Sequence, residues 1–345
     1  PPLVCIYTAA GGTSRQSENH KFTQCIAFSH DRGRTWEKYG GNPVLEHIAA
    51  NNRDPKVIWH EPTGRWVMAL YLEENDYALF TSPNLIDWVR CCDLNIPGTT
   101  ECPDIFVLPV DSSPHESKWV FWGASGDYVI GSFDGRQFEI ESRPRRFQYG
   151  RSYAAQSWSD MPFSDGRRIQ IAWLRGDKPD MPFNQQMTFP TELALRNTSD
   201  GIRMFAEPVK ELEALNGRKQ TFSPSDLQTA ELGELLDVRV AIAAAEGSSG
   251  GKAVVNIRGT SLVYDRGKGT LQLGTDSAPL PYFNGPLELR ILVDRSSLEV
   301  FAQKGALTLG IAMVPEKAST GIALELDGNL DAGMVEIVEL VSSWR

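Results

Sequence analysis

The 345-residue sequence predicts an all-β chain, a β-propeller followed by a β-sandwich, on three observations. Short runs rich in Val, Ile, Phe, Trp and Tyr recur between clusters of Gly, Pro, Asn and Asp, as in Lys56-Val57-Ile58-Trp59, Trp66-Val67-Met68-Ala69-Leu70-Tyr71 and Trp119-Val120-Phe121-Trp122. Such runs fit half-buried strands bounded by turns. A unit made of a polar turn feeding an aromatic strand returns along the first 207 residues. Beyond about residue 221 the pattern changes to alternating strands, with Leu287-Glu288-Leu289-Arg290-Ile291-Leu292-Val293 followed by Ser297-Leu298-Glu299-Val300-Phe301, which suits two packed sheets.

The repeated units are Ser29 and Asp31 leading to Trp36, Ser82 and Asn84 leading to Trp88, Phe133-Asp134-Gly135 leading to Phe138, and Ser199-Asp200-Gly201 leading to Phe205. Their aromatics stand 52, 50 and 67 residues apart. That is near the roughly 40–50-residue period of propeller blades, with an insertion in the last interval; coincidental hairpins are the competing account. A propeller must close its ring to hide its end blades, and the first unit shows only later strands, so the ring is expected to draw on chain before Pro1. After Glu207-Pro208, the run Val209-Lys210-Glu211-Leu212-Glu213-Ala214-Leu215 reads as a helical or linker segment halted by Asn216-Gly217. The expected domains are therefore a propeller over 1–207, incomplete at its N-terminus, a linker over 208–220 and a sandwich over 221–345. Ser248-Ser249-Gly250-Gly251 reads as a flexible loop of the sandwich.

With 34 Lys and Arg against 44 Asp and Glu, the net charge of −10 opposes a nucleic-acid partner, and Arg143-Pro144-Arg145-Arg146 reads as a solvated turn. No run of 18 apolar residues is present to span a membrane. The start Pro1-Pro2-Leu3-Val4 lacks the regions of a signal peptide, and any export signal is expected before it, which leaves secretion or a periplasmic location open. The five cysteines form no C-x-x-C pair and the five histidines no H-E-x-x-H spacing, so neither a disulfide framework nor a metal or other cofactor is expected. Neutral ligands fit better, and the 9 Trp, 9 Tyr and 15 Phe offer flat faces for sugar rings as well as core.

Two short motifs carry chemistry: Arg53-Asp54-Pro55 and Glu101-Cys102-Pro103-Asp104. They supply two separately anchored carboxylates among strand and turn signals. Glycosidic bond cleavage uses such a pair, one acid protonating the leaving oxygen and ionised carboxylates acting as nucleophile or stabilising the developing positive charge. Two acids in ordinary turns are the alternative.

The chain resembles glycoside hydrolase family 32, the β-fructosidases that include levanases, inulinases and invertases. The resemblance rests on Tyr7-Thr8-Ala9-Ala10-Gly11, Asp31-Arg32-Gly33-Arg34-Thr35-Trp36, Arg53-Asp54-Pro55-Lys56-Val57, Glu101-Cys102-Pro103-Asp104, Tyr153-Ala154-Ala155-Gln156-Ser157, Met187-Thr188-Phe189-Pro190 with Glu192-Leu193, and Asp294-Arg295-Ser296-Ser297-Leu298-Glu299-Val300-Phe301, in that order. It implies a five-bladed propeller followed by a β-sandwich. It also implies Glu101 as general acid/base and Asp54 as the residue that stabilises the transition state, with Arg53, Cys102, Tyr153 and Trp173 lining a fructose pocket. Cys102 also fits a small buried apolar residue, and Tyr153 and Trp173 plain core aromatics. Glu101 is expected to stay protonated near neutral pH, and Asp54 to stay ionised beside Arg53. Asn51, Asn52 and Glu192 are lesser pocket candidates, and Asp104 is expected to be structural.

The implied substrate is a β-fructan or sucrose, and the loop Arg175-Gly176-Asp177-Lys178-Pro179-Asp180-Met181-Pro182-Phe183-Asn184 resembles levanases and inulinases more than plant invertases. The Asn-Asp-Pro-Asn-Gly-like motif that carries the family's nucleophilic Asp does not occur in the 345 residues. Three accounts of that gap stand open: a partial sequence, which is favoured; a second polypeptide that supplies the missing blade; or a non-hydrolytic fructan-binding relative. A sialidase is a further alternative, since Ser29-His30-Asp31-Arg32-Gly33-Arg34-Thr35-Trp36 fits the turn of those propellers, but only one strict copy occurs.

Overall fold

A computed structural model describes residues 1–162, 164–176, 183–247, 250–280, 283–313, 321–327 and 329–343. Ser248, Ser249 and most of the 175–184 loop lie outside the described residues. The chain divides into two compact units: Pro1–Pro109 with Ser113–Arg145 and Ala154–Ser159, and Val110–Ser112 with Arg146–Tyr153 and Asp160–Arg345.

The first unit is built from antiparallel meanders. Leu3–Ala9, Thr23–Ser29 and Glu37–Lys38 form one sheet; Arg53–His60, Arg65–Glu73, Asp76–Ser82 and Val89–Asn95 form a second; Asp104–Pro109, Ser117–Trp122, Asp127–Phe133 and Phe138–Ile140 form a third. Each strand pairs with the next in sequence, which is the connectivity of propeller blades. The second and third sheets share a core in which Val67, Tyr77, Leu79, Ile105, Phe121 and Val129 are fully buried. Edge-to-face rings continue through it, with Tyr77 and Phe121 centroids 5.1 Å apart.

The recurring turns behave as their side chains dictate. Ser29 Oγ donates to Asp31 Oδ1 at 2.8 Å and accepts Gly33 N–H at 2.8 Å, while Asp31 accepts Thr35 N–H at 2.9 Å and the Thr35 hydroxyl at 2.7 Å. These bonds, first among them the Thr35 backbone N–H, hold the Asp31 carboxyl down at about 2. Gly33 sits at φ +85°, where a side chain is strained. In the next unit Asn84 takes the place of Asp31, its Oδ1 accepting Ile86 N–H at 3.0 Å and Asp87 N–H at 2.9 Å, and in the third Asp134 Oδ1 accepts two N–H groups at 2.7 Å.

In the second unit Arg168–Leu174, Thr191–Thr198 and Gly201–Pro208 make an antiparallel meander with Gln186–Met187 at the first strand's side. The segment 208–220 contains a 3-10 helix, Lys210–Leu215, stopped at Asn216, where the strand Asn216–Phe222 begins. Two larger sheets follow. One orders Gln148–Gly150, Leu307–Ala312, Ser297–Ala302, Leu287–Val293, Leu236–Ala244, Val335–Leu340 and Asn216–Phe222; the other orders Asp276–Pro279, Thr270–Leu273, Thr260–Asp265, Lys252–Ile257 and Ile322–Leu326. Alternate residues of each point into one core, Val238, Val240 and Ile242 from the first sheet and Val255, Ile257, Leu262 and Leu271 from the second, which makes the pair a sandwich. The first sheet also takes in Gln148–Gly150, parallel to Leu307–Ala312. That pairing covers an edge that would otherwise present unpaired backbone groups.

Candidate active site

Arg53, Asp54, Glu101 and Cys102 come together in the first unit. Asp54 is the second residue of the strand Arg53–His60, whose register against Arg65–Glu73 shifts between Arg53 and Lys56, so that one extra residue is accommodated. A bulge of this kind bends a strand and re-aims a side chain. Asp54 adopts φ +62°, and Glu101 and Cys102 adopt +48° and +38° just before Pro103 and the strand Asp104–Pro109. Left-handed backbone at non-glycine residues costs of order 1–3 kcal/mol each and persists only where the surroundings over-determine it.

Those surroundings are specific. Asp54 Oδ2 accepts the Cys102 backbone N–H at 3.0 Å and the Cys102 thiol at 3.5 Å, tying the two motifs directly together. The Asp54 N–H donates to Thr8 Oγ1 at 3.1 Å, Thr8 Oγ1 to Gln24 Oε1 at 2.8 Å, and Gln24 Nε2 to the Asn52 carbonyl at 3.2 Å. On the other side Ala124 N–H reaches the Thr100 and Glu101 carbonyls at 2.7 and 3.1 Å, and the Tyr77 hydroxyl reaches the Glu101 carbonyl at 3.4 Å. Gly123 makes room for this: a Cβ there would stand 2.5 Å from the Tyr77 hydroxyl and 2.9 Å from the Thr100 carbonyl.

A single guanidinium addresses both carboxylates. Arg53 Nη2 donates to Glu101 Oε1, and Arg53 Nε lies 3.8 Å from Asp54 Oδ2. Arg53 was expected beside Asp54; it stands there and makes its closer contact with Glu101. Arg53 is itself set by Asn51, whose carbonyl accepts Nη1 at 2.7 Å, and by Tyr71, whose ring lies 4.7 Å beneath its Cζ. Burial alone lowers the guanidinium pKa, but the hydrogen bond and charge of Glu101 and the charge of Asp54 raise it above its ordinary value.

Beneath the motifs lies a buried ion pair. Asp104 is wholly buried and accepts Ser157 N–H at 2.7 Å, Ser157 Oγ at 2.9 Å and its own neighbour Ile105 N–H at 2.8 Å, with Lys56 Nζ at 3.2 Å. Lys56 Nζ also donates to the Ser157 carbonyl at 2.6 Å. Lys56 is two residues beyond Asp54, and Asp104 three beyond Glu101.

Of the remaining sequence candidates, Tyr153 and Trp173 belong to the second unit, where their rings meet edge-to-face with centroids 6.3 Å apart and Arg175 lies 4.4 Å over Tyr153. Trp173 is exposed, unlike a core aromatic. Asn52 is buried and caps its own loop, its Oδ1 accepting Ile48 N–H at 3.0 Å. Glu192, also in the second unit, has Oε2 3.9 Å from Arg167. Sequence reasoning passed over Thr8, Gln24, Lys56 and Ser157 as site residues. Thr8, Lys56 and Ser157 each lie within text quoted for the family resemblance, which was the available signal.

The model for the glycosyl hydrolases family 32 N-terminal domain matches residues 2–208, and that for the family's C-terminal region matches residues 211–342. The chain belongs to glycosyl hydrolase family 32. This family 32 chain is 33% identical over 396 residues to a levanase of Bacillus subtilis (strain 168), across 99% of its own length and 57% of the levanase. It is 26% identical over 421 residues to an extracellular exo-inulinase of Aspergillus awamori, across 100% of itself and 77% of that protein. The chain thus spans little more than half the length of that levanase. Among solved structures, the exo-inulinase from Aspergillus awamori superposes with a TM-score of 0.84 at 24% identity, covering 100% of this chain and 80% of the other. Fructan 1-exohydrolase IIa from Cichorium intybus gives a TM-score of 0.77 at 17% identity, covering 98% and 81%. At these identities the structural likeness carries the fold, a propeller followed by a β-sandwich.

All five cysteines of the family 32 chain are free. Burial, and after it the charge of Asp54, pushes the Cys102 thiol well above the usual thiol range, so it stays protonated as a donor to Asp54 and is a poor nucleophile. Cys5 is exposed. Brief alkylation of the native protein at mildly alkaline pH, followed by peptide mass mapping, is expected to label Cys5 and spare Cys102; equal labelling of both contradicts this placement.

Proposed function

We propose that the protein is a β-fructosidase that releases terminal fructose from β-fructans, levan or inulin, or from sucrose, by a retaining two-carboxylate mechanism. The observation that carries this reading is the convergence of Asp54 and Glu101, from two successive sheets of the first unit, on one guanidinium through three left-handed backbone positions. The levanase and exo-inulinase relatives support the same substrate class.

In this reading Glu101 delivers a proton to the leaving oxygen and later accepts one from water. Asp54, fixed by the Cys102 N–H and thiol, accepts hydrogen bonds from fructosyl hydroxyls that strengthen as positive charge develops on the ring. Arg53 orients both acids, Cys102 shapes the wall beside Asp54, and Tyr153 and Trp173 present an aromatic pair to sugar. The nucleophile of the displacement is not assigned to any of the 345 residues. Residues 1–207 are proposed as the catalytic propeller portion, 208–220 as the connection and 221–345 as the sandwich, whose larger sheet also takes in the strand Asn216–Phe222.

The test is incubation of the protein, expressed from its complete coding sequence, with sucrose, inulin and levan. Free fructose is the expected product. Sugar binding without fructose release overturns the hydrolytic reading and favours a fructan-binding relative.

A further inference from the structure

Glu299 plays no part in the chemistry above, yet it is among the most confined acids of the second unit. It lies on the strand Ser297–Ala302, inside the larger sheet between Leu287–Val293 and Leu307–Ala312, and only 5% of it is exposed. One carboxyl oxygen accepts the Phe189 N–H at 2.9 Å. Directly across the register is Gly310; a Cβ there would stand 3.1 Å from Ser152 Oγ and 3.4 Å from Glu299 Cγ, so the glycine keeps space open beside the acid.

That space belongs to a small cavity of about 10 Å³, walled by Glu299, Gln148, Gln170, Thr188 and Ser152 among others. Two of its amide oxygens, Gln148 Oε1 and Gln170 Oε1, are buried without a hydrogen-bond donor among the described residues. The Gln170 amide nitrogen is spent on Thr191 Oγ1 at 2.6 Å, which directs Oε1 the other way. A volume of about 10–15 Å³ is the least that holds one water, and a water so held makes two to four hydrogen bonds.

We propose that this cavity binds a single water molecule, clamped by Gln148, Gln170 and Glu299, with Glu299 in its neutral form as the donor to the water. The hydrogen-bond count closes in this arrangement. Neutral Glu299 donates one O–H to the water, and the water donates its two hydrogens to the two amide oxygens. An ionised Glu299 would instead face two carbonyl-type oxygens as a third acceptor group. No lining residue contributed by Gln148–Gly150, Arg168–Leu174, Thr191–Thr198 or Leu307–Ala312 carries a charge; Asp294, at the turn before Glu299's own strand, is the charged group that acts on it, and its sign opposes ionisation.

The protonation state agrees. Burial, opposed by the Phe189 N–H and reinforced by Asp294, pushes the Glu299 carboxyl from 4.5 up to about 8. Between those values the folded protein keeps a proton that the unfolded chain releases. The stabilisation from Glu299 is therefore complete below pH 4.5, declines as pH rises and is lost by about pH 8.

Urea unfolding of the wild type and of Glu299→Gln, from about pH 5 to about pH 9, tests the neutral acid, because the amide is isosteric and does not titrate. The ratio of unfolding constants, wild type over variant, is expected to rise by about tenfold per pH unit and to level off near pH 8. A ratio independent of pH overturns the proposal. A second measurement needs no variant: a crystal structure of the wild type at a resolution that reveals ordered water. Density for one water within hydrogen-bonding distance of Gln148 Oε1 and Gln170 Oε1 is expected, and a dry cavity overturns the site.

Discussion

Glu101→Gln is expected to lower fructose release by about 10²–10⁴-fold while leaving the fold intact, because a positioned general acid contributes that much and an amide cannot supply its proton. Glutamine keeps the length of the side chain and an oxygen that can accept Arg53 Nη2, so the guanidinium stays between the two motifs. The pH profile separates this from a packing defect. A general acid must be protonated, so the wild-type rate falls as pH rises through the acid's pKa. The residual rate of the variant is expected to lose that alkaline decline. A variant that retains wild-type rate, or the same alkaline limb, removes Glu101 from the acid/base role.

The second large effect is expected at a residue that touches no substrate. Asp104→Ala deletes a wholly buried carboxylate and leaves Lys56, whose side chain is 13% exposed, without its counter-charge. Breaking a buried pair from one side costs about 3–5 kcal/mol, most of it the desolvated partner left behind. The Ser157 and Ile105 N–H groups lose their acceptor as well. Because the pair joins the strand that begins at Arg53 to the strand that begins at Asp104, the folded fraction is also expected to lose activity. Asp104→Asn combined with Lys56→Met is expected to regain most of the stability, since no buried charge remains and the amide oxygen can accept from Ser157. Urea midpoints of the single and double variants measure both effects. An Asp104→Ala protein within about 1 kcal/mol of wild type contradicts the buried-pair account.

What could be read from the residues follows the range of the physics. The turns at Ser29–Asp31 and Ser82–Asn84 are legible because their bonds run from a side chain to backbone two to four positions away, so the sequence holds donor and acceptor together. The strands between them follow from short β-branched and aromatic runs, as at Arg65–Glu73 and Ser117–Trp122. The candidate acids were visible as motifs. Their conformation was not: nothing in Arg-Asp-Pro or Glu-Cys-Pro announces left-handed backbone at non-glycine residues, which is imposed by partners such as Thr8, Tyr77 and Ala124 far along the chain. Long-range pairings were hidden for the same reason. Gln148 meets Thr308 in a parallel ladder, and Asp104 meets Ser157, each across a separation that leaves no local periodicity to detect.

The most direct measurement is a crystal structure of Glu101→Gln soaked with a short β-fructan. The expected result is a terminal fructose whose hydroxyls bond Asp54 and whose glycosidic oxygen lies at the residue 101 amide. A fructan seated elsewhere, with Asp54 and residue 101 untouched, contradicts the claim that these two side chains form one sugar-cleaving site.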